Sequence, residues 1–272
     1  MKDFLPKTCE PIVVNNVLTA VANITEKFYP NSVEDKFDNK VLNIENRNYM
    51  NVIHGKNVLI GESVKIGTNC WIGHNTIIEK NVEIGNNCSI GDNCTLSHCE
   101  LDDGCRLQAG VVLGAAGFGF EITGDTPVMI PHIGILRLGR GVCVGANSAI
   151  DRGSLGDTVI GDFVMIDNLV HIAHNCEIGE RCVIAGQVGI AGSTILEAGV
   201  MIGGQAGIGD HLRIGKNAVI LARSGVTKDV PAGAKMVGFP AIEAGQYWRD
   251  QAAVRQVLRT RAAAGKKTPP KV

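Results

Sequence analysis

Aliphatic residues recur at every sixth position through most of this chain, and that period constrains its fold more than any other feature. Ile60, Ile66, Ile72, Ile78, Ile84, Ile90 and Leu96 hold the spacing without a slip, and glycine follows most of them. The phase resumes one residue early at Leu101, Leu107 and Leu113. It returns at Leu138, Val144 and Ile150, then runs unbroken from Ile160 to Val226. A helix repeats about every 3.6 residues and an ordinary strand every second, so a strict six belongs to neither. The period predicts an all-β architecture, a parallel β-helix of short strands that each send one aliphatic residue inward. Glycine is expected at the corners, where a positive φ costs it little. Three six-residue sides close a coil, so the repeats amount to about eight coils, each burying its faces only against its neighbours. Composition fits a narrow, layered core: glycine supplies 34 of 272 residues and aromatics only 4%.

Charge and cysteine usage exclude several classes. Lys and Arg number 26 against 27 Asp and Glu, which leaves no basic surplus for nucleic acid. No apolar run is long enough for a membrane span, and MKDFLPKTCEPIVV lacks the apolar stretch of a signal peptide. Nine cysteines without a CxxC pair argue against a disulfide scaffold or a zinc ribbon and for a reducing, cytoplasmic setting. Cys70, Cys88, Cys94, Cys99, Cys105, Cys176 and Cys182 each stand two residues before an inward aliphatic, and are expected as small buried corner fillers.

Three segments leave the repeat. Residues 1–50 form a short N-terminal segment: Ile12 to Tyr29 is expected as one helix against the first coil, and 31–50 as a polar linker. The β-helix occupies 51–239, with an excursion at 115–137 that carries Phe118 and Phe120 beside glycines. Such a loop on a rigid scaffold is a common place for binding, and the pair reads equally as a pocket wall or as loop packing. His132 is expected as a surface-loop histidine; His54, His74 and His98 receive no role. Trp71 and Trp248 are expected to pack at the ends of the stack. Residues 240–272 read as a C-terminal helix and basic tail. There Arg249, Arg255, Arg259, Arg261, Lys266, Lys267 and Lys271 face only Glu243 and Asp250. That surplus suits a solvated cap or a docking face for an acidic partner.

The coil also converts spacing into proximity, because residues one coil apart stack about 4.8 Å from each other. His174 therefore lies over Gly192, and His211 falls two coils and one residue beyond His174. Histidine suits a general base near neutral pH, and a glycine amide suits donation to a developing oxyanion. Asp167 supports that imidazole only if the intervening turn brings it round.

Local strings are more specific than spacing. IDRGSLGDTVIG (150–161), IDNLVHIAHNCEIG (166–179), GQVGIAGS (186–193) and IGGQAGIGDHLRIG (202–215) occur in order. They follow GFGF (117–120) and IPHIG (130–134) and precede the ending GFP…W (238–248). Together they resemble the UDP-3-O-acylglucosamine N-acyltransferases of lipid A biosynthesis, hexapeptide-repeat acyltransferases with a left-handed parallel β-helix. The resemblance implies a homotrimer with active sites between subunits, moving a 3-hydroxyacyl chain from acyl carrier protein to the 2-amino group of a UDP-linked amino sugar. The donor would be a phosphopantetheine thioester, with no separate cofactor and no metal. It further implies His174 as general base, Gly192 as oxyanion donor, Asp167 and Asn168 as active-site supports and His211 as a second pocket histidine. The basic C-terminal helix would face the carrier protein. This chain departs from the family in its short segment before the coils, where no uracil-stacking pair is placed. It also carries Ala115-Ala116 before Gly117, where family members usually have Asp.

Three other readings stay open on sequence. One is an acetyl-CoA-dependent N-acetyltransferase of a nucleotide-linked amino sugar, which shares the β-helix and histidine base. Another is a metal hydratase using His171, His174 and His211, although the HxxH spacing puts the first two on different sides of a turn. The third is a catalytically inactive scaffold.

Overall fold

A computed structural model describes residues 8–264 except 35, 37, 48, 124, 240 and 242, with residues 261–264 described by backbone only. Two compact units divide the chain, residues 1–238 and 239–272. The first is a parallel β-helix with three faces. Its first face runs from Leu59–Ile60 to Gly225–Val226, its second from Val52–His54 to Lys235–Met236 and its third from Lys65–Ile66 to Arg213–Ile214. Successive rungs pair in parallel, one coil apart, as in Ile60 on Ile78 and Ile172 on Ile190. Within the periodic run each two-residue strand turns its first side chain outward and its second inward, so the aliphatics form ladders largely sealed from solvent. All seven corner cysteines are buried with them, and all nine cysteines are free.

The expected coil count holds for the third face, which has eight strands; the other two have ten. Most of the surplus comes from segments outside the aliphatic phase. Val52–His54 and Lys235–Met236 extend the second face, Leu42–Asn43 joins the first, antiparallel to Leu59–Ile60, and the periodic run itself gives the first face nine strands. Residues 42–47 and Tyr49 are therefore not a linker. Ile44 is buried, its N–H donates to Val58 O at 2.9 Å, and Tyr49 Oη donates to Val64 O at 3.1 Å. They supply the apolar cover that the first open rung of a solenoid requires.

Glycine's role at the corners also differs from expectation. Asparagine is the commonest left-handed residue there, as at Asn57, Asn69, Asn75, Asn87 and Asn93, with φ between 56° and 58°, a region Asn tolerates; glycines such as Gly104 and Gly141 and other residues such as Gln187 and His211 share the role. The glycine that follows each inward aliphatic is needed for close approach instead. A Cβ on Gly61 would stand 2.3 Å from the Lys80 backbone nitrogen in the next rung.

Helix α1 (Val17–Phe28) is capped by Asn16, whose Oδ1 accepts from Thr19 N at 2.9 Å. It lies beside the excursion rather than on the first coil, and Asn16 Nδ2 donates to Glu121 Oε1 at 3.0 Å. That excursion is an antiparallel hairpin of Phe120–Thr123 and Thr126–Met129. It replaces the turn that should carry the chain from the first face (Val112–Ala115) to the third (Leu136–Leu138). The rungs on either side break the six-residue period at this same corner, between Leu96 and Cys99 and between Asp151 and Thr158. Trp71 does not close an end of the stack; it projects from the second face and is 59% exposed.

The second unit holds helix α2 (Ala244–Ala264), in which Tyr247 and Trp248 meet edge to face at 5.0 Å. Arg249, Arg255 and Arg259 are exposed on it, whereas Lys266, Lys267 and Lys271 lie outside the described residues. Among the described residues no helix is long and apolar enough to cross a membrane.

Candidate active site

His174 occupies the first corner between the first and third faces that regains regular length after the three breaks. One wall of its ring is the next rung: a Cβ on Gly192 would sit 2.8 Å from Cε1 and 2.9 Å from Nε2. The other wall is the excursion, where a Cβ on Gly117 would sit 2.7 Å from Cδ2. Only glycine on both sides leaves room for the imidazole. His132 adds an edge-to-face contact, its centroid 5.0 Å from that of His174. It is buried, which corrects its reading as a surface-loop residue; the loop folds back so that His132 faces the coil, with Nδ1 donating to Ile130 O at 3.0 Å.

Hydrogen bonding around Asn175 fixes which nitrogen of His174 carries a proton. Asn175 Oδ1 accepts from Ser154 N at 3.0 Å, and its Nδ2 donates to Gly156 O at 3.1 Å. A backbone N–H can only donate and a carbonyl can only accept, so the amide has one possible orientation. His174 Nδ1 lies 3.0 Å from that same Oδ1 and must donate to it. Neutral His174 is then protonated at Nδ1, and its Nε2 lone pair is directed beside Gly192. Among the described residues, the Gly192 N–H meets no acceptor.

Beneath this ring stands an acid–base pair that sequence reasoning did not single out. Arg152 is buried; its Nε donates to His132 O at 2.9 Å, its Nη1 to Gly114 O at 3.0 Å and its backbone N to Ala115 O at 3.0 Å. One side chain thus ties both ends of the excursion to the coil. Asp151 is 6% exposed and 3.7 Å from His171 Nε2. Burial pushes its carboxyl up to about 6, against the opposing pull of His171, His174 and Arg152. IDRG contains both residues, yet nothing in its spacing shows that the corner turns them under the loop.

The structure brings together some of the expected residues and separates others. Gly192 and His211 share the corner with His174, linked by Ser193 N to His174 O at 2.9 Å and His211 N to Gly192 O at 3.1 Å. Phe118 and Phe120 meet edge to face at 4.9 Å on the excursion, with Phe118 adjoining the buried Gly117. Asp167 and Asn168 sit at a different corner, between the second and first faces, so the intervening turn does not bring Asp167 round to His174. There Asn168 Nδ2 donates to Asp167 Oδ1 at 3.0 Å, and Asp167 borders an outward groove with Arg106, Met165 and Val183. Among the described residues no three His, Cys, Asp or Glu side chains are grouped to hold a metal ion. His171 stands on the first-face strand His171–Ile172, 3.7 Å from Asp151, and His174 in the turn that follows.

This arrangement defines a hexapeptide-repeat β-helix with a histidine-centred site at one corner. Residues 63–98, 81–115 and 157–192 match the family described as bacterial transferase hexapeptide (six repeats). The chain resembles UDP-3-O-acylglucosamine N-acyltransferases. It is 44% identical to that of Caulobacter sp. (strain K31) over 151 residues, covering 55% of this chain and 44% of the relative. It is likewise 44% identical to that of Burkholderia multivorans over 164 residues, 57% of this chain and 46% of the relative. The matched segment thus spans less than half the length of these curated relatives. Among solved structures, UDP-N-acetylglucosamine O-acyltransferase from Moraxella catarrhalis is similar with a TM-score of 0.52 and 26% identity, over 70% of each chain. UDP-N-acetylglucosamine acyltransferase from Campylobacter jejuni, at 19% identity, shares the fold with a TM-score of 0.52 over 78% of this chain and 85% of its own.

Proposed function

We propose that this protein is an N-acyltransferase that moves a 3-hydroxyacyl chain from acyl carrier protein to the 2-amino group of a UDP-3-O-acylglucosamine, in lipid A biosynthesis. The observation that carries this reading is the His174 imidazole, whose Nδ1 is held by Asn175 and whose Nε2 faces Gly192. In this reading Nε2 takes a proton from the sugar amine as its nitrogen bonds to the thioester carbonyl. The Gly192 N–H donates to the oxygen that gains charge. Collapse of the tetrahedral intermediate breaks the C–S bond, and the proton passes from His174 to the departing sulfur. Residues of this chain suffice for each transfer, so the reaction is drawn without a metal or a separate cofactor.

Substrate recognition is assigned on placement. Phe118 and Phe120 wall the pocket beside Gly117, and His211 lines the same corner two rungs on. Asp167 and Asn168 stand at another corner, so they serve the site if a second copy of the chain presents that corner to His174, as in a homotrimer. The exposed arginines of α2 suit an acidic carrier protein. Free, buried cysteines suit a cytoplasmic setting.

The test offers the purified protein UDP-3-O-acylglucosamine with 3-hydroxyacyl carrier protein or with acetyl-CoA in separate reactions. Turnover with the carrier protein alone is expected, falling about 10²- to 10⁴-fold in His174→Ala. Turnover with acetyl-CoA alone would transfer the reading to N-acetylation; turnover with neither would reject this sugar as acceptor.

A further inference from the structure

We propose that His132 is a positioning residue for His174: fixed on the excursion, it closes the Cδ2 side of the imidazole and holds the orientation that turns Nε2 to Gly192. The inference rests on His174 acting as the base.

The last torsion of a histidine side chain is broad and roughly two-fold, so the ring has two orientations half a turn apart. In His174 that half turn would exchange Nδ1 with Cδ2 and Nε2 with Cε1, and the lone pair would leave its place beside Gly192. The bond from Nδ1 to Asn175 Oδ1 opposes the flip. One neutral hydrogen bond, however, favours a conformer only about fivefold. Packing must supply the rest. Gly192 borders the Cε1–Nε2 edge of the ring, and the excursion borders Cδ2. There Gly117 lies between two rings: a Cβ on it would stand 2.7 Å from His174 Cδ2 and 2.8 Å from His132 Nε2. The rings themselves meet at 70°, with centroids 5.0 Å apart.

His132 can act as a support because the chain is anchored on both sides of it. It is 4% exposed, and its Nδ1 donates to Ile130 O at 3.0 Å. Before it, Ile130 N donates to Gly119 O at 3.0 Å; after it, Ile133 N donates to Ser154 O at 2.8 Å. Its own carbonyl accepts from the buried Arg152. Ser154 serves both sides of the catalytic ring, since its N and Oγ donate to Asn175 Oδ1 at 3.0 and 2.8 Å. The lengthened turn thus holds Asn175 against Nδ1 and residue 132 behind Cδ2.

The experiment is NMR of the His174 ring, with steady-state kinetics, in the full chain and in His132→Ala and His132→Gln. In the unaltered chain the Cδ2 proton should show through-space contacts to Gly117 and the His132 ring, and the Cε1 proton contacts to Gly192 alone. Absence of that pattern would overturn the proposal without any variant. His132→Ala opens space behind Cδ2. The Cε1 proton should then also contact Gly117, the mark of a flipped ring, and kcat should fall about ten- to a hundredfold with KM within about threefold. His132→Gln keeps a donor for Ile130 O and most of the bulk, so it should retain one ring orientation and a kcat within about threefold. A single His174 orientation in His132→Ala would overturn the proposal. So would loss of turnover in His132→Gln with the ring still fixed, because the imidazole of His132 would then be needed for more than placement. Absence of acyl transfer by the unaltered chain would count against the N-acyltransferase reading, while the ring contacts would still decide the role of His132.

Discussion

Where the chain passes from the second face to the first, four residues intervene at every rung, from His54–Leu59 to Ile220–Gly225. Where it passes from the first face to the third, three successive rungs substitute a shortened turn, a hairpin and a lengthened turn before regularity resumes at His174. The regular corner is close-packed: a Cβ on Gly145 would stand 2.4 Å from the Asp167 backbone. Each turn there covers the one before it, leaving space only on the outer surface. At the broken corner the turns no longer superimpose, and the irregular segments bring in buried polar side chains of their own: His132, Arg152 and Asp151. The solenoid gathers polar side chains where it fails to repeat.

That contrast can be broken most severely at Arg152. Arg152→Met leaves the Gly114 and His132 carbonyls without their buried donor, and should cost about 4 kcal/mol in chemical denaturation. Limited proteolysis should then cut within 120–129 first.

Asp151 tests whether the broken corner sacrifices stability for its chemistry. Its folded-state pKa of about 6 lies above the ordinary 3.8, so the folded chain holds this proton more firmly than the unfolded chain. The associated stability is fully present below pH ~4 and lost as pH rises through ~6, on the order of 3 kcal/mol. Asp151→Asn should therefore raise the melting temperature at pH 8 and flatten its decline between pH 4 and 6. An unchanged pH profile would show that the carboxylate is not strained by burial.

Gly117→Ala probes the corner's geometry, because a Cβ there would stand 2.7 Å from His174 Cδ2 and 2.8 Å from His132 Nε2. The new methyl group meets the His174 ring, and turnover should fall about a hundredfold as the ring is displaced. A wild-type rate would mean that the excursion does not hold the imidazole. The smallest effect belongs to the regular corner. Asn87→Ala puts a less tolerant residue in the left-handed region and should cost about 1 kcal/mol, with turnover unchanged.

The regular part of the molecule was legible in the sequence because its geometry is local. The aliphatic period gave the faces, and coil arithmetic correctly stacked His174, Gly192 and His211. Arithmetic stopped at the insertions. His132 is separated from its ring partner by both an excursion and a lengthened turn, so no spacing links them. Asp151 and Arg152 sit in a quoted string, but a string does not reveal that their side chains turn beneath the loop. Asp167 shows the opposite limit: its seven residues to His174 cross from one corner to another, so nearness in sequence is not nearness within one copy of the chain. The glycines were right in position and wrong in cause. Their period marks rung-to-rung contact, whereas the positive φ falls mid-turn, most often on asparagine.

The line of thiols in the core has a use outside catalysis. Burial pushes the Cys176 thiol up to about 12 and shifts those of Cys94, Cys99 and Cys182 in the same direction, so folded rungs should resist alkylation. Cys9 is exposed and should label at once. Because a stacked chain loses order rung by rung, the sequence in which Cys70, Cys94, Cys176 and Cys182 become reactive would chart where unravelling begins. The protein carries its own set of chemical depth markers, already spaced along its axis.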